Sequence, residues 1–190
     1  KPSEGLASGG QIFSVIGSGF ESGAHSYHCK FLNQSISTVA SCVAISATIL
    51  ECKTPAWCCH ESSTTVQLYH VTTKIPALGQ TTFDFLASWW LPYAQGFPLD
   101  GGEAITITGT GFDPTAKYCM NISTTDGNIL TTRDHVPVNY STFVFTIAGI
   151  ASIPDHEQYG LDLKILRQGS DGLCESEVDR ELRETFRLHF

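Results

Sequence analysis

Seven cysteines, seven histidines and nineteen carboxylates are the residues of this 190-residue chain whose side chains can do chemistry. The cysteines are Cys29, Cys42, Cys52, Cys58, Cys59, Cys119 and Cys174. Two clusters, His25-x-x-His28-Cys29 and Cys58-Cys59-His60, carry metal-ligand residue types. Neither has the Cys-x-x-Cys spacing that lets one loop wrap a zinc ion, so no metal is expected. The acidic run Asp171, Glu175, Glu177, Asp179, Glu181 and Glu184 lacks the alternating ladder and central glycine of a calcium loop, and reads as a solvated face. Gly-x-Ser-x-Gly, His-Glu-x-x-His and phosphate-loop motifs are missing from the sequence. No carboxylate stands in an apolar strand that would plainly raise its pKa. The expectation is a chain with no catalytic residues, no cofactor and no metal. Its cysteine chemistry is then cross-linking.

Cross-linking needs an oxidising compartment. Three glycosylation sequons point the same way: Asn33-Gln34-Ser35, Asn121-Ile122-Ser123 and Asn139-Tyr140-Ser141. Together with the cysteines they predict a secreted or cell-surface glycoprotein with N-glycans on Asn33, Asn121 and Asn139. Charged residues are 16% of the chain, against about 25% in ordinary globular proteins. The net charge is −8, which disfavours nucleic acid and anionic membrane as partners, since both require clustered cations. No apolar run reaches the roughly 18 residues of a membrane-spanning helix. Lys1-Pro2-Ser3-Glu4 reads as a mature or trimmed start rather than a signal peptide.

The elements that position these residues repeat. Gly9-Gly10-Gln11-Ile12-Phe13-Ser14-Val15-Ile16-Gly17-Ser18-Gly19-Phe20 aligns without gaps to Gly101-Gly102-Glu103-Ala104-Ile105-Thr106-Ile107-Thr108-Gly109-Thr110-Gly111-Phe112, an offset of 92. Tyr27 faces Tyr118, and Thr48-Ile49-Leu50 faces Thr142-Phe143-Val144. Two domains are predicted, residues 1–88 and 89–190. Period-two alternation at Phe13 and Val15, at Ile105 and Ile107, over 64–71 and over 160–166 predicts strands throughout. The Gly-x-Gly-Phe segments read as turns in which glycine supplies a positive φ and the phenylalanine plugs the sandwich end. A dinucleotide loop is excluded, because no third glycine and no helix follow. A loop or short helix is expected near 175–182, then a strand to Phe190. Trp89-Trp90 is read as packing between the two sandwiches, in preference to a sugar-stacking platform.

Gly9-Gly10, Val15-Ile16-Gly17-Ser18-Gly19-Phe20 and Ile49-Leu50-Glu51-Cys52-Lys53-Thr54-Pro55, with the second copy from Pro98 to Phe112, resemble the IPT/TIG domain. That is an immunoglobulin-like module of plexins, other cell-surface receptors and some transcription factors. The resemblance implies an all-β chain of two tandem immunoglobulin-like sandwiches, and a Cys29–Cys52 disulfide. In the second copy Met120 falls opposite Cys29, so Cys119 is expected to face outward beside Asn121, with Cys174 its most economical partner. Cys42 is then left to Cys58 or Cys59, and one of the seven thiols stays unpaired or bonds another chain. The second copy replaces Cys-x-Thr-Pro by Thr146-Ile147-Ala148-Gly149. The tryptophan pair precedes the second copy's glycines as an opening strand, whereas only Lys1 to Leu6 precede the first copy's. The first domain is therefore expected to lack that strand.

Residues 1–88 carry four cations against five anions, net −1, and residues 89–190 carry seven against fourteen, net −7. Head-to-tail contact of unlike ends would avoid acidic repulsion. The expected function is a non-enzymatic extracellular structural glycoprotein that assembles with copies of itself into a fibre or surface layer. An open strand edge and the terminal residues Phe186, Leu188 and Phe190 would make the contact. The alternative is a ligand- or glycan-binding ectodomain module of a receptor or adhesin.

Overall fold

The computed structural model describes residues 4–22, 26–77, 79, 81–90, 102, 104–124, 129–146 and 161–180. The chain divides into two compact units, Lys1–Leu86 and Ala87–Phe190. The division falls two residues before the expected one. Ala87 and Ser88 are buried in the second unit, and Ser88 pairs with Thr110 there. Among the described residues there is no helix.

The first unit contains β1 (Glu4–Leu6), β2 (Ile12–Ile16), β3 (Tyr27–Asn33), β4 (Ile36–Ser46), β5 (Ile49–Lys53), β6 (Ser62–His70), β7 (Thr73–Ile75) and β8 (Thr82–Leu86). They pair in the order β1-β8-β6-β3-β4-β5-β2, with β7 added to β6. Strands distant in this order meet through their side chains. Phe13 of β2 lies 6.0 Å from Phe83 of β8 and 5.9 Å from Phe31 of β3, ring centre to ring centre. The pairing path therefore folds over itself into two layers, and alternate inward residues, Phe13, Phe31, Leu50, Phe83 and Phe85 among them, fill the space between.

The expectation of a missing first strand is corrected. Glu4, Gly5 and Leu6 run parallel to Asp84, Phe85 and Leu86, so β1 is the opening strand. Ala7 extends this contact, its amide donating to the Leu86 carbonyl at 2.8 Å while its own carbonyl accepts from the Trp57 amide at 2.8 Å. The chain then turns at Gly9, whose φ is 72°, and passes so close under Pro55 and Ala56 that a Cβ there would sit 2.6 Å from their backbone. Three residues and one turn accomplish what the sequence pattern leads one to seek in a longer strand.

The second unit contains β9 (Ser88–Trp90), β10 (Ala104–Thr110), β11 (Tyr118–Thr124), β12 (Ile129–His135), β13 (Thr142–Thr146), β14 (Leu161–Gln168), β15 (Cys174–Glu177) and β16 (Asp179–Arg180). They form two four-stranded sheets, β13-β10-β9-β16 and β12-β11-β14-β15. Trp89, Ile105, Ile107, Phe143 and Phe145 of the first belong to one core with Tyr118, Met120, Ile122, Leu163 and Ile165 of the second. Cys174–Glu177 and Asp179–Arg180 are strands where a loop or short helix is expected near 175–182; residues 181 and 182 lie outside the described residues. The Val178 amide donates to the Ile165 carbonyl at 2.8 Å, continuing the pairing of β15 with β14, and its side chain is buried. The terminal strand expected at Phe186, Leu188 and Phe190 lies outside the described residues.

Candidate functional site

The Gly-x-Gly-Phe repeat builds the same device twice. Gly19 and Gly111 have φ of 78° and 76°, a region that costs other residues strain. The earlier glycines serve a different need. A Cβ on Gly17 would lie 2.6 Å from the Phe20 ring, and one on Gly109 2.6 Å from the Phe112 ring. Each phenylalanine folds back over its glycine and meets a tyrosine edge-on, Phe20 to Tyr27 at 5.4 Å and Phe112 to Tyr118 at 6.1 Å. Each tyrosine hydroxyl then accepts the amide that follows the phenylalanine, Glu21 at 3.1 Å and Asp113 at 2.9 Å. The Tyr118 hydroxyl is buried deeply enough that its pKa is pushed up to about 12. Both phenylalanines are buried, Phe20 in the first core and Phe112 in the second.

The cysteines depart from expectation in the first unit. The disulfide joins Cys42 to Cys52, not Cys29 to Cys52, nor Cys42 to Cys58 or Cys59. Cys42 and Cys52 are register partners on the adjacent strands β4 and β5, with Cα atoms 4.2 Å apart. Cys29 stands one strand further, on β3. Its Sγ is 3.7 Å from that of Cys42 and 4.0 Å from that of Cys52, and burial pushes its thiol up to about 12. These three sulfurs are mutually close, yet two are bonded to each other and offer no thiolate to a metal. Cys58 and Cys59 are not bonded to each other here, with Sγ atoms 3.0 Å apart.

In the second unit Cys119 bonds Cys174, the partner expected for it. Cys119 lies on the strand face opposite Tyr118, Met120 and Ile122, but it is fully buried rather than exposed. The strand register gives the second unit a substitute for the first unit's disulfide. Tyr27 pairs with Cys42 as Tyr118 pairs with His135, and Phe13 pairs with Cys52 as Ile105 pairs with Phe145. His135 and Phe145 meet as rings at 6.1 Å, and burial holds the imidazole pKa below its usual value. An apolar contact thus replaces a covalent one at the same register position.

Of the other metal-type residues, His25 lies outside the described residues. His28 and Cys29 are consecutive on β3 and so face opposite sides of the sheet, with His28 stacked on Tyr69 at 5.2 Å. The sequons take three settings. Asn33 ends β3, and its Nδ2 donates to the Ser63 carbonyl at 3.2 Å. Asn121 is mid-strand in β11, half-buried, with its Oδ1 buried and unpartnered. Asn139 is exposed, and its Oδ1 accepts from the amide and the hydroxyl of Ser141, the third residue of its own sequon.

The tryptophan pair does not share one role. Trp89 is 1% exposed in the second core, and its indole N–H donates to the Val178 carbonyl at 3.1 Å. The reading of Trp89 as junction packing is corrected, since its side chain belongs to a sandwich interior. Trp90 is half-buried, opposite Thr108.

The first unit also carries an exposed apolar face beside a strand edge. β2 pairs with β5 alone among the described residues, whereas its counterpart β10 is flanked by both β13 and β9. In the second unit β9 pairs β10 on one side and β16 on the other. In the first, β1 pairs with β8 alone among the described residues, and no described strand pairs the far edge of β2. Ile12 and Ile16, 65% and 68% exposed, project from this edge strand. Val43, Ile45 and Ile49 continue the exposed apolar face on β4 and β5, with Ile16 directly opposite Ile49. The signal was present: apolar residues of β2 and β4 occupy both parities, as in Ile12-Phe13 and Ala44-Ile45, where a half-buried strand needs one.

Comparison with family models matches residues 1–85 to the IPT/TIG domain. No curated protein matches the chain. Among solved structures, the full extracellular region of plexin A4, domains 1 to 10, is 17% identical with a TM-score of 0.35, covering 84% of this chain and 14% of that one. A second structure of the plexin A4 extracellular region, with domains 1 to 8, is 10% identical at a TM-score of 0.38, covering 94% and 25%. A tetra-tandem repeat from the extending region of a large adhesion protein is 11% identical at 0.36, covering 86% and 46%. The chain thus spans less than half the length of each.

Proposed function

We propose, from the match of residues 1–85 to the IPT/TIG domain, that the chain is an extracellular, non-catalytic structural module that assembles with copies of itself into a fibre or surface layer. The observation that carries this reading is the open edge of β2 beneath exposed Ile12 and Ile16. An unpaired strand edge presents a row of N–H and C=O groups, and soluble proteins ordinarily blunt such an edge with charge or proline. Here it carries isoleucine. An extended strand of a second copy would complete the sheet, and the exposed isoleucines would bury against it. The near-neutral first unit suits such a contact better than the acidic second unit. The two disulfides support an oxidising, extracellular setting.

Replacing Ile12 and Ile16 together by lysine is expected to weaken self-association at least about tenfold by sedimentation velocity, since each loses burial of about 1.5–3 kcal/mol. A wild-type chain that sediments only as monomer at high concentration, and forms no ordered assembly by electron microscopy, overturns the reading. The second reading, a recognition module of a receptor or adhesin, is favoured by the parallel pairing of β1 with β8, which completes that side of the first sheet without a neighbour's strand. Under it the β2 edge would take a strand from a different protein, and the same double substitution would leave the sedimentation profile unchanged.

N-glycans on Asn33, Asn121 and Asn139 belong to this proposal. Asn139, exposed and already in a turn that engages its own serine, is expected to be the most fully occupied. Asn139→Gln should remove one glycan's mass from the secreted chain. Peptide mapping with and without glycosidase, finding residue 139 unmodified, contradicts it.

A further inference from the structure

Two disulfides leave Cys29, Cys58 and Cys59 unbonded, and the three differ sharply in setting. Cys29 is sealed in the core. Cys58 is exposed and Cys59 half-buried, on a short connection between β5 and β6. That connection is held on both sides of the pair. The Trp57 ring is buried and stacked on Phe85 at 5.0 Å, and its amide donates to the Ala7 carbonyl at 2.8 Å. Its indole N–H reaches past both cysteines to the His60 carbonyl at 3.0 Å. The loop is stapled from 57 to 60, and the two sulfurs are thereby held 3.0 Å apart, about 1 Å beyond a bonded pair.

We infer that Cys58 and Cys59 form a vicinal disulfide in the mature protein, so that the odd cysteine is the buried Cys29 and no thiol is left to cross-link copies. The inference rests on the extracellular reading for its oxidant, a small-molecule disulfide or the disulfide of a thiol oxidoreductase. The exposed Cys58 thiolate attacks one sulfur of that disulfide, forming a mixed disulfide and releasing one thiolate. The Cys59 thiolate then attacks the Cys58 Sγ, closing the ring and releasing the second thiolate. The two protein thiols lose two protons and two electrons, and the external disulfide becomes two thiols. Burial and the neighbouring Cys58 push the Cys59 thiol up to about 11, which leaves little thiolate at neutral pH; the 3.0 Å separation from the Cys58 Sγ is what makes the second, intramolecular attack effective. Assembly through β2 would then be wholly non-covalent and reversible in non-reducing buffer.

Tryptic digestion of the full, non-reduced chain tests this, because Lys53 and Lys74 bracket a peptide, 54–74, whose only cysteines are Cys58 and Cys59. Iodoacetamide is expected to label no cysteine in the native chain and only Cys29 after unfolding. Peptide 54–74 should run two hydrogens lighter than its reduced form. Cys58→Ser should make Cys59 labelable in the native chain and yield some covalent dimer. Labelling of both Cys58 and Cys59 in wild type, or their linkage to another peptide, overturns the inference. The same digest keeps the two readings apart. If peptide 31–53 still carries an internal Cys42–Cys52 bond, the oxidising compartment stands and only the vicinal ring fails. If that bond is also absent, the compartment fails with it.

Discussion

Replacing Cys119 and Cys174 together by alanine is expected to lower the stability of the second unit by about 4 kcal/mol. The bond closes a segment of 55 residues, and constraining the unfolded chain over that span is worth about that much in the loop-entropy account. The same account gives about 3 kcal/mol for Cys42–Cys52, which closes only 10. Chemical denaturation followed by a probe in each unit should therefore show the larger shift for the second-unit pair. Equal shifts, or a larger one for Cys42 and Cys52, would mean that native-state packing rather than chain entropy dominates.

Trp89→Ala is expected to cost about 3–5 kcal/mol, the range for removing a buried large aromatic side chain. The loss has two parts: a cavity in the second core, and a Val178 carbonyl deprived of its indole donor. Trp89→Phe should retain most of the packing and lose chiefly the hydrogen bond. The discriminating measurement is which unit unfolds early. Destabilisation confined to the second unit agrees with a core tryptophan. A variant whose two units each keep full stability, with only their mutual orientation altered, would restore the junction role that adjacency in sequence suggested.

The repeat was legible because its residues are dictated locally. A positive φ calls for glycine, and a ring folded back over the strand calls for a second glycine beneath it, so Gly17-x-Gly19-Phe20 and Gly109-x-Gly111-Phe112 announce the same corner wherever they occur. Strand alternation at Phe13 and Val15 or at Ile105 and Ile107 likewise needs only its own neighbours. Those features were sufficient for an all-β chain and for the family resemblance over residues 1–85. The exposed apolar face was legible in principle, as apolar residues on both parities of β2 and β4. Reading it required knowing which parity faces the core.

What the sequence determined by itself is therefore the set of elements and their turn chemistry, since φ preference and side-chain parity are properties of short segments. What only the tertiary structure decided is pairing. Whether Cys52 takes Cys29 or Cys42 depends on strand register, and Cys42 is directly opposite. Whether the first unit has an opening strand depends on three residues finding β8 far along the chain. Whether Trp89 fills a core or a boundary depends on Val178, between β15 and β16 and 89 residues later in the chain. Each choice is made by a long-range contact between segments that carry no local mark of one another, so the chain must fold before the partner is known.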